Sequence, residues 1–160
     1  MAEFKAGRNH HLTVVLEAFE ADILRGLIEK MRVVLDAGDR KDPVTARLFP
    51  PAYDESGDAE AFRELIGDEL KNAKLQAVNA VEDAIGTRGA VDTSLSPEAV
   101  DDWLRALNDM RLAIGTRLDV TEDRMEEDPD PADPDAPALS VLHWLAWMQE
   151  SMLYTLTGGR

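Results

Sequence analysis

Ser96-Pro97-Glu98-Ala-Val-Asp-Asp-Trp103-Leu104-Arg-Ala-Leu107-Asn108-Asp-Met110-Arg111-Leu-Ala-Ile114-Gly-Thr-Arg117-Leu118 is the stretch that decides the fold class. Serine at its head can accept from a first-turn amide that has no partner inside the helix. Proline next to it lacks a donor where none is needed, and the glutamate sits at the positive end of the helix dipole. Beyond that start, Trp103, Leu104, Leu107, Ile114 and Leu118 return at intervals of three and four, the period of a helix buried along one side. The spacing predicts a helix over 97–118.

The same period recurs outward in both directions. Phe62, Ile66, Leu70, Ala73, Ala77, Val81 and Ile85 mark a helix over 59–85, capped by Ser56 or Asp58, closed by Gly86, and about 40 Å long at ~1.5 Å per residue. Phe19, Ile23, Leu27, Met31 and Val34, widened by Leu24, Ile28 and Leu35, mark another over 18–37 that stops at Gly38. Leu12-Thr13-Val14-Val15-Leu16 is a short β-like run, so residues 3–16 are read as a hairpin or extended arm. Residues 38–57 are rich in turn formers, and within them Leu48-Phe49-Pro50-Pro51-Ala52-Tyr53 sets two aromatics beside rigid prolines. Such a segment packs over a core, because leaving both rings wet forfeits their burial. On the other side, residues 121–137 combine repeated proline with like charge and read as a flexible acidic loop. A last helix follows over 138–156. Four amphipathic helices, an arm and a loop amount to an all-α, four-helix-bundle-like single domain over 1–160.

Composition narrows the function classes. With 32 acidic and 17 basic residues the chain carries a net charge of −15. It is therefore repelled as a whole from a nucleic-acid duplex and from an anionic membrane, and Arg and Lys form no run that would override this. Arg105, Asn108 and Arg117 could form a recognition face on the 97–118 helix, but Asp101, Asp102 and Asp109 offset them. Direct DNA binding is disfavoured. Cysteine is absent, which excludes disulfides, thiolate zinc sites and thiol catalysis. No apolar run reaches the ~18–20 residues that cross a bilayer, and the first residues lack a signal-peptide core, so the cytoplasm is the expected compartment. Phosphate-cradling glycine loops and nucleophile elbows are missing. His10 and His11 are adjacent and would point apart, and His143 has no partner at metal-ligand spacing. The acidic run 126–135 lacks the glycine and terminal glutamate of a helix–loop–helix calcium site. No catalytic residue, metal site or cofactor is expected.

Three polar groups interrupt apolar stripes. Glu20 lies in line with Leu27, Met31 and Val34, Arg111 lies among Leu104, Leu107, Ile114 and Leu118, and Gln149 lies among Leu142, Leu145, Leu153 and Leu156. A charge cannot enter a core unpaired without costing several kcal/mol. The expectation is one buried network of Glu20 with Arg111 and Gln149 alongside, with Asn108 and Arg117 as further members on the same helix. Its bland reading is a clasp that fixes helix register; its sharper reading is a ligand site. Trp103 belongs to the core. Trp144 and Trp147 lie opposite the Leu142 and Leu153 face, so something must cover them: the segment holding Phe49 and Tyr53, the N-terminal arm, or another chain. These four aromatics are the candidate partner-binding surface, for a protein partner or for a second copy in a homodimer.

Three blocks carry a resemblance: Leu48-Phe49-Pro50 with Tyr53 and Phe62-Arg63; the run from Trp103 to Leu118; and Trp144-Leu-Ala-Trp147-Met-Gln149-Glu150. In these blocks the chain resembles an actinobacterial family catalogued as a domain of unknown function and also described as oxidative-stress transcriptional regulators, AosR-like. The resemblance spans nearly the whole chain. It implies a regulator without enzymatic activity that acts with the transcription machinery, through a stress sigma factor or an RNA polymerase component. Thiol-based redox sensing is associated with that family, and a chain without cysteine departs from it. Sensing would then fall to a partner or to methionines such as Met110, Met148 and Met152. The alternative is a helical bundle that binds a small molecule at the Glu20–Arg111–Gln149 cluster.

Overall fold

The computed structural model describes residues 1–37, 41–49, 57–119, 125 and 130–158, with the backbone alone over 57–66. In chain order the elements are β1 (Glu3–Ala6), β2 (Leu12–Leu16), α1 (Ala18–Ala37), α2 (Pro43–Leu48), α3 (Gly57–Ile85), β3 (Val91–Leu95), α4 (Pro97–Leu118) and α5 (Ala136–Leu156). The protein is mostly helical, as the periodicities require. The all-α reading needs one correction: the N-terminal hairpin is joined by β3, giving a three-stranded antiparallel sheet in the order β1-β2-β3. Val14 pairs with Phe4 on one side and Thr93 on the other, and Leu12 and Leu16 face Leu95 and Val91. Because side chains alternate along a strand, Leu12, Val14 and Leu16 all enter the core while Thr13 and Val15 stay half-buried on the other face.

Helix α4 starts as its sequence dictates. The hydroxyl of Ser96 accepts from the Ala99 backbone N–H at 3.2 Å, and Pro97 occupies the first turn. It ends at Asp119, whose φ of 51° places it in the left-handed region. Val100, Trp103, Ala106, Leu107, Met110 and Ala113 are its buried apolar face. α2, α3 and α5 all pack against it, and α1 packs on α3. Helix α2 lies in the stretch read as a connection. Asp42 caps it by accepting from the Val44 N–H at 2.9 Å, with Pro43 in the first turn. Leu48 is buried there and Phe49 packs partly buried on the core.

Two helical faces are rotated from those expected. On α1 the core side is Ala21, Leu24, Ile28, Met31 and Leu35, while Phe19 is exposed and Ile23, Leu27 and Val34 lie on the flank. On α5 the core side is Leu139, Leu142, Leu145, Met148 and Met152, with Leu153 and Leu156 exposed. Both helices carry more apolar residues than one face holds, so periodicity alone allows two azimuths. Of the acidic stretch 121–137, residues 121–124 and 126–129 lie outside the described residues, as do Gly38, Ser56 and Tyr53.

Candidate functional site

Glu20 is buried, as its place on an apolar stripe implies, but its partner is not Arg111. It sits at the third position of α1 and reaches back to accept from the Glu17 backbone N–H at 3.0 Å, satisfying an orphan donor of the first turn. Its other oxygen accepts from the Ala2 backbone N–H at 2.9 Å and from the Trp144 indole Nε1 at 3.2 Å. Three N–H donors compensate the carboxylate for the water it loses. They tie the N-terminal strand region, α1 and α5 at one point.

Arg111 and Gln149 do meet. The guanidinium donates to Gln149 Oε1 at 2.5 Å, and Gln149 Nε2 donates to the Leu104 carbonyl at 3.4 Å. This clasp joins α4 to α5 and is separate from Glu20. The expected single network is therefore two smaller ones, because helical period fixes which way a side chain points on its own helix but not which helix lies opposite. Asn108 and Arg117 join neither: both are exposed, and Arg117 pairs with Asp42 at 2.8 Å. The N–H of Val44 and then the Arg117 guanidinium hold the Asp42 carboxyl below its ordinary pKa.

Of the aromatic candidates, Trp144, Trp147 and Phe49 are half-buried against partners within the chain, and Tyr53 lies outside the described residues. Trp147 packs against Phe4 of β1, ring centroids 6.3 Å apart at 52°, and Trp144 is held by Glu20. Phe49 lies against the core. For Trp147 the cover is the N-terminal arm, one of the three expected.

Several polar ties escaped the sequence reading. Lys74 on α3 donates to Asp109 on α4 at 2.9 Å, with side chains only 10% and 4% exposed. The signal existed: Lys74 lies four residues from Leu70 and from Val78, and Asp109 lies between Ala106 and Ala113. Arg25 closes the end of α3, donating to the carbonyls of Ile85 at 2.7 Å, Gly86 at 3.0 Å and Gly89 at 3.1 Å. A cation at the negative end of a helix dipole, bonded to its unpaired carbonyls, is a strong cap. Gly86 supplies the positive φ of 68° that this turn needs. Arg32 pairs with Glu82 and reaches Asn79 Oδ1 at 2.6 Å. That hydrogen bond from Arg32 lowers the Glu82 pKa.

These polar groups form cross-links between elements. Among the described residues no group of three or more His, Asp or Glu is placed to hold a metal ion, and no helix is long and apolar enough to cross a membrane. Among the described residues an apolar groove of about 530 Å³ opens to the outside, its lining including Leu27, Val34, Ile114 and Val141.

Comparison with known proteins places the chain. Curated proteins named oxidative stress regulator AosR, from Mycobacterium tuberculosis and Mycobacterium bovis, are 29% identical to it over 133 residues, covering 74% of this chain. The match spans 60% of the length of those relatives. No solved structure matches the chain at a significant level. Residues 1–156 match the family described as a domain of unknown function, DUF2017, and the chain belongs to that family.

Proposed function

We propose that this chain is a non-catalytic regulator of the oxidative-stress response, working in the cytoplasm through contacts with a protein of the transcription machinery such as a stress sigma factor or an RNA polymerase component. The observation that carries this reading is the similarity to relatives named as oxidative stress regulators. Two properties of the chain support the protein-contact mechanism. A net charge of −15 opposes direct association with DNA. Of the side chains that the sequence offers as a ligand cluster, Glu20, Arg111 and Gln149 are hydrogen-bonded within the fold and Arg117 pairs with Asp42, while the open groove beside α1 is apolar. Half-buried Trp144 borders an open pocket together with Phe19 and Ile23 of α1, and the proposed contact runs along that side of α1.

Affinity purification of the tagged chain from oxidant-treated cells, followed by mass spectrometry, tests the proposal. The expected result is enrichment of a sigma factor or polymerase subunit over an untagged control. Recovery of none, together with a gel shift on promoter DNA that survives physiological salt, would replace it with direct DNA binding.

A further inference from the structure

Helix α1 carries more apolar surface than the core uses. Phe19 is 61% and Val33 70% exposed, and Ile23, Leu27 and Val34 are half-buried. α1 packs on α3 and α5 packs on α4, but α1 and α5 do not close on each other along their lengths. They are left as the walls of a trough whose floor is the C-terminal half of α4. The trough has two basins: the groove of about 530 Å³ already described, and a second of about 340 Å³ against Phe19, Ile23 and Trp144. Val141 lines both, so the two basins adjoin at that residue along the same side of α1. Along α1 they extend from Phe19 to Val34, about 22 Å at ~1.5 Å per residue.

Charge distinguishes the two ends. In a chain with 32 acids and 17 bases, the charged residues lining the larger basin are Lys30 and Arg117, with no acid among the described residues. Arg117 is shared with Asp42, and Lys30 is exposed without an ion-pair partner among the described residues. At the far end, Glu17 meets the Met1 ammonium at 2.9 Å and Glu20 is satisfied by its N–H donors. The basic end is thus the one with charge to offer.

We propose that this trough seats one amphipathic α-helix of a partner protein, apolar side chains filling both basins and the carboxylate-bearing C-terminal end lying against Lys30 and Arg117. A small ligand would fill a single basin; two adjoining basins spread over this length suit a helix anchored at three- and four-residue intervals. The negative end of the helix dipole adds to the attraction at the basic end. A second copy of this chain is disfavoured, because association would bring together two bodies of charge −15. The inference rests on the reading of the chain as a protein-binding regulator and specifies where, and with what, it binds.

The test uses the full chain and two labelled synthetic peptides of about 16 residues, long enough to span the trough as helices. They share one leucine face; one ends in glutamates and the other in lysines. By fluorescence anisotropy the glutamate peptide should bind about tenfold more tightly or better. Val33→Glu and Lys30→Glu, both at exposed positions, should each weaken it about tenfold, and Lys30→Glu should improve the lysine peptide, with unchanged thermal unfolding. Equal binding of both peptides, binding of neither, or variants that bind like the native chain would overturn the assignment. So would a dimer in sedimentation that Val33→Glu dissolves, which would make a second copy the occupant. If the native chain and Val33→Glu both co-purify the same transcription component, the trough is not its seat and the regulatory reading stands. If neither recovers one, that reading itself fails.

Discussion

Lys74 and Asp109 face each other in the interior between α3 and α4, where neither can fall back on water. Their attraction works against two desolvation penalties, and the second Asp109 oxygen, Oδ2, is buried without a hydrogen-bond partner among the described residues. Such a pair adds little net stability but is costly to break, because the survivor is an uncompensated buried charge. Lys74→Met should therefore cost about 3–5 kcal/mol, and Lys74→Met with Asp109→Leu should be neutral or stabilising relative to the native chain. Urea unfolding of both variants decides it; a double variant as unstable as the single one would show that the pair contributes net stability. Glu20 marks the limit of a one-dimensional reading at this scale. Its stripe revealed that it is buried. Its partners, two backbone amides and the Trp144 indole, lie 18, 3 and 124 residues away in sequence. No periodicity carries that information.

Elements with their own caps were legible, and those that depend on neighbours were not. α4 opens on the Ser96 cap and first-turn Pro97 that its sequence displays. β3 was missed because Val91-Asp92-Thr93-Ser94-Leu95 has apolar residues only at its ends, with burial supplied by pairing to β2. α2 was missed because six residues cannot show a helical period, although Asp42-Pro43 is a valid start signal. That start makes α2 sensitive to acid. Asp42 has a lowered pKa in the folded state, and so does Glu82 in the tie between α1 and α3. A depressed folded-state pKa means a contribution that is present above the unfolded value, about 4 for a carboxylate, and lost as pH falls through the folded one. Stability should decline as the solution is acidified below about pH 5, with Asp42→Asn and Glu82→Gln flattening the decline. Unfolding across a pH series checks this, and identical slopes for native and variant chains would remove both residues from the account.

At the scale of the whole molecule, the absence of cysteine and the burial of methionine bear on the same question. Met110, Met148 and Met152 are fully buried, contributed by α4 and α5 to one core. A thioether is oxidised where the oxidant can reach it, so in the folded chain these three react only after opening of the structure. The family resemblance, in a chain without cysteine, offered them as slow sensors; burial makes them core-fillers whose oxidation would follow unfolding and not signal ahead of it. On the proposed regulatory reading, an oxidant signal would enter through a partner or at an exposed position such as Met1, and not through these three side chains. Brief treatment of the native protein with hydrogen peroxide should leave these three methionines unmodified by peptide mass spectrometry, while the urea-unfolded chain should acquire sulfoxide at all three. Oxidation of any of them in the native protein at the unfolded rate would return direct sensing to this chain, and would place the sensor in the interface between α4 and α5.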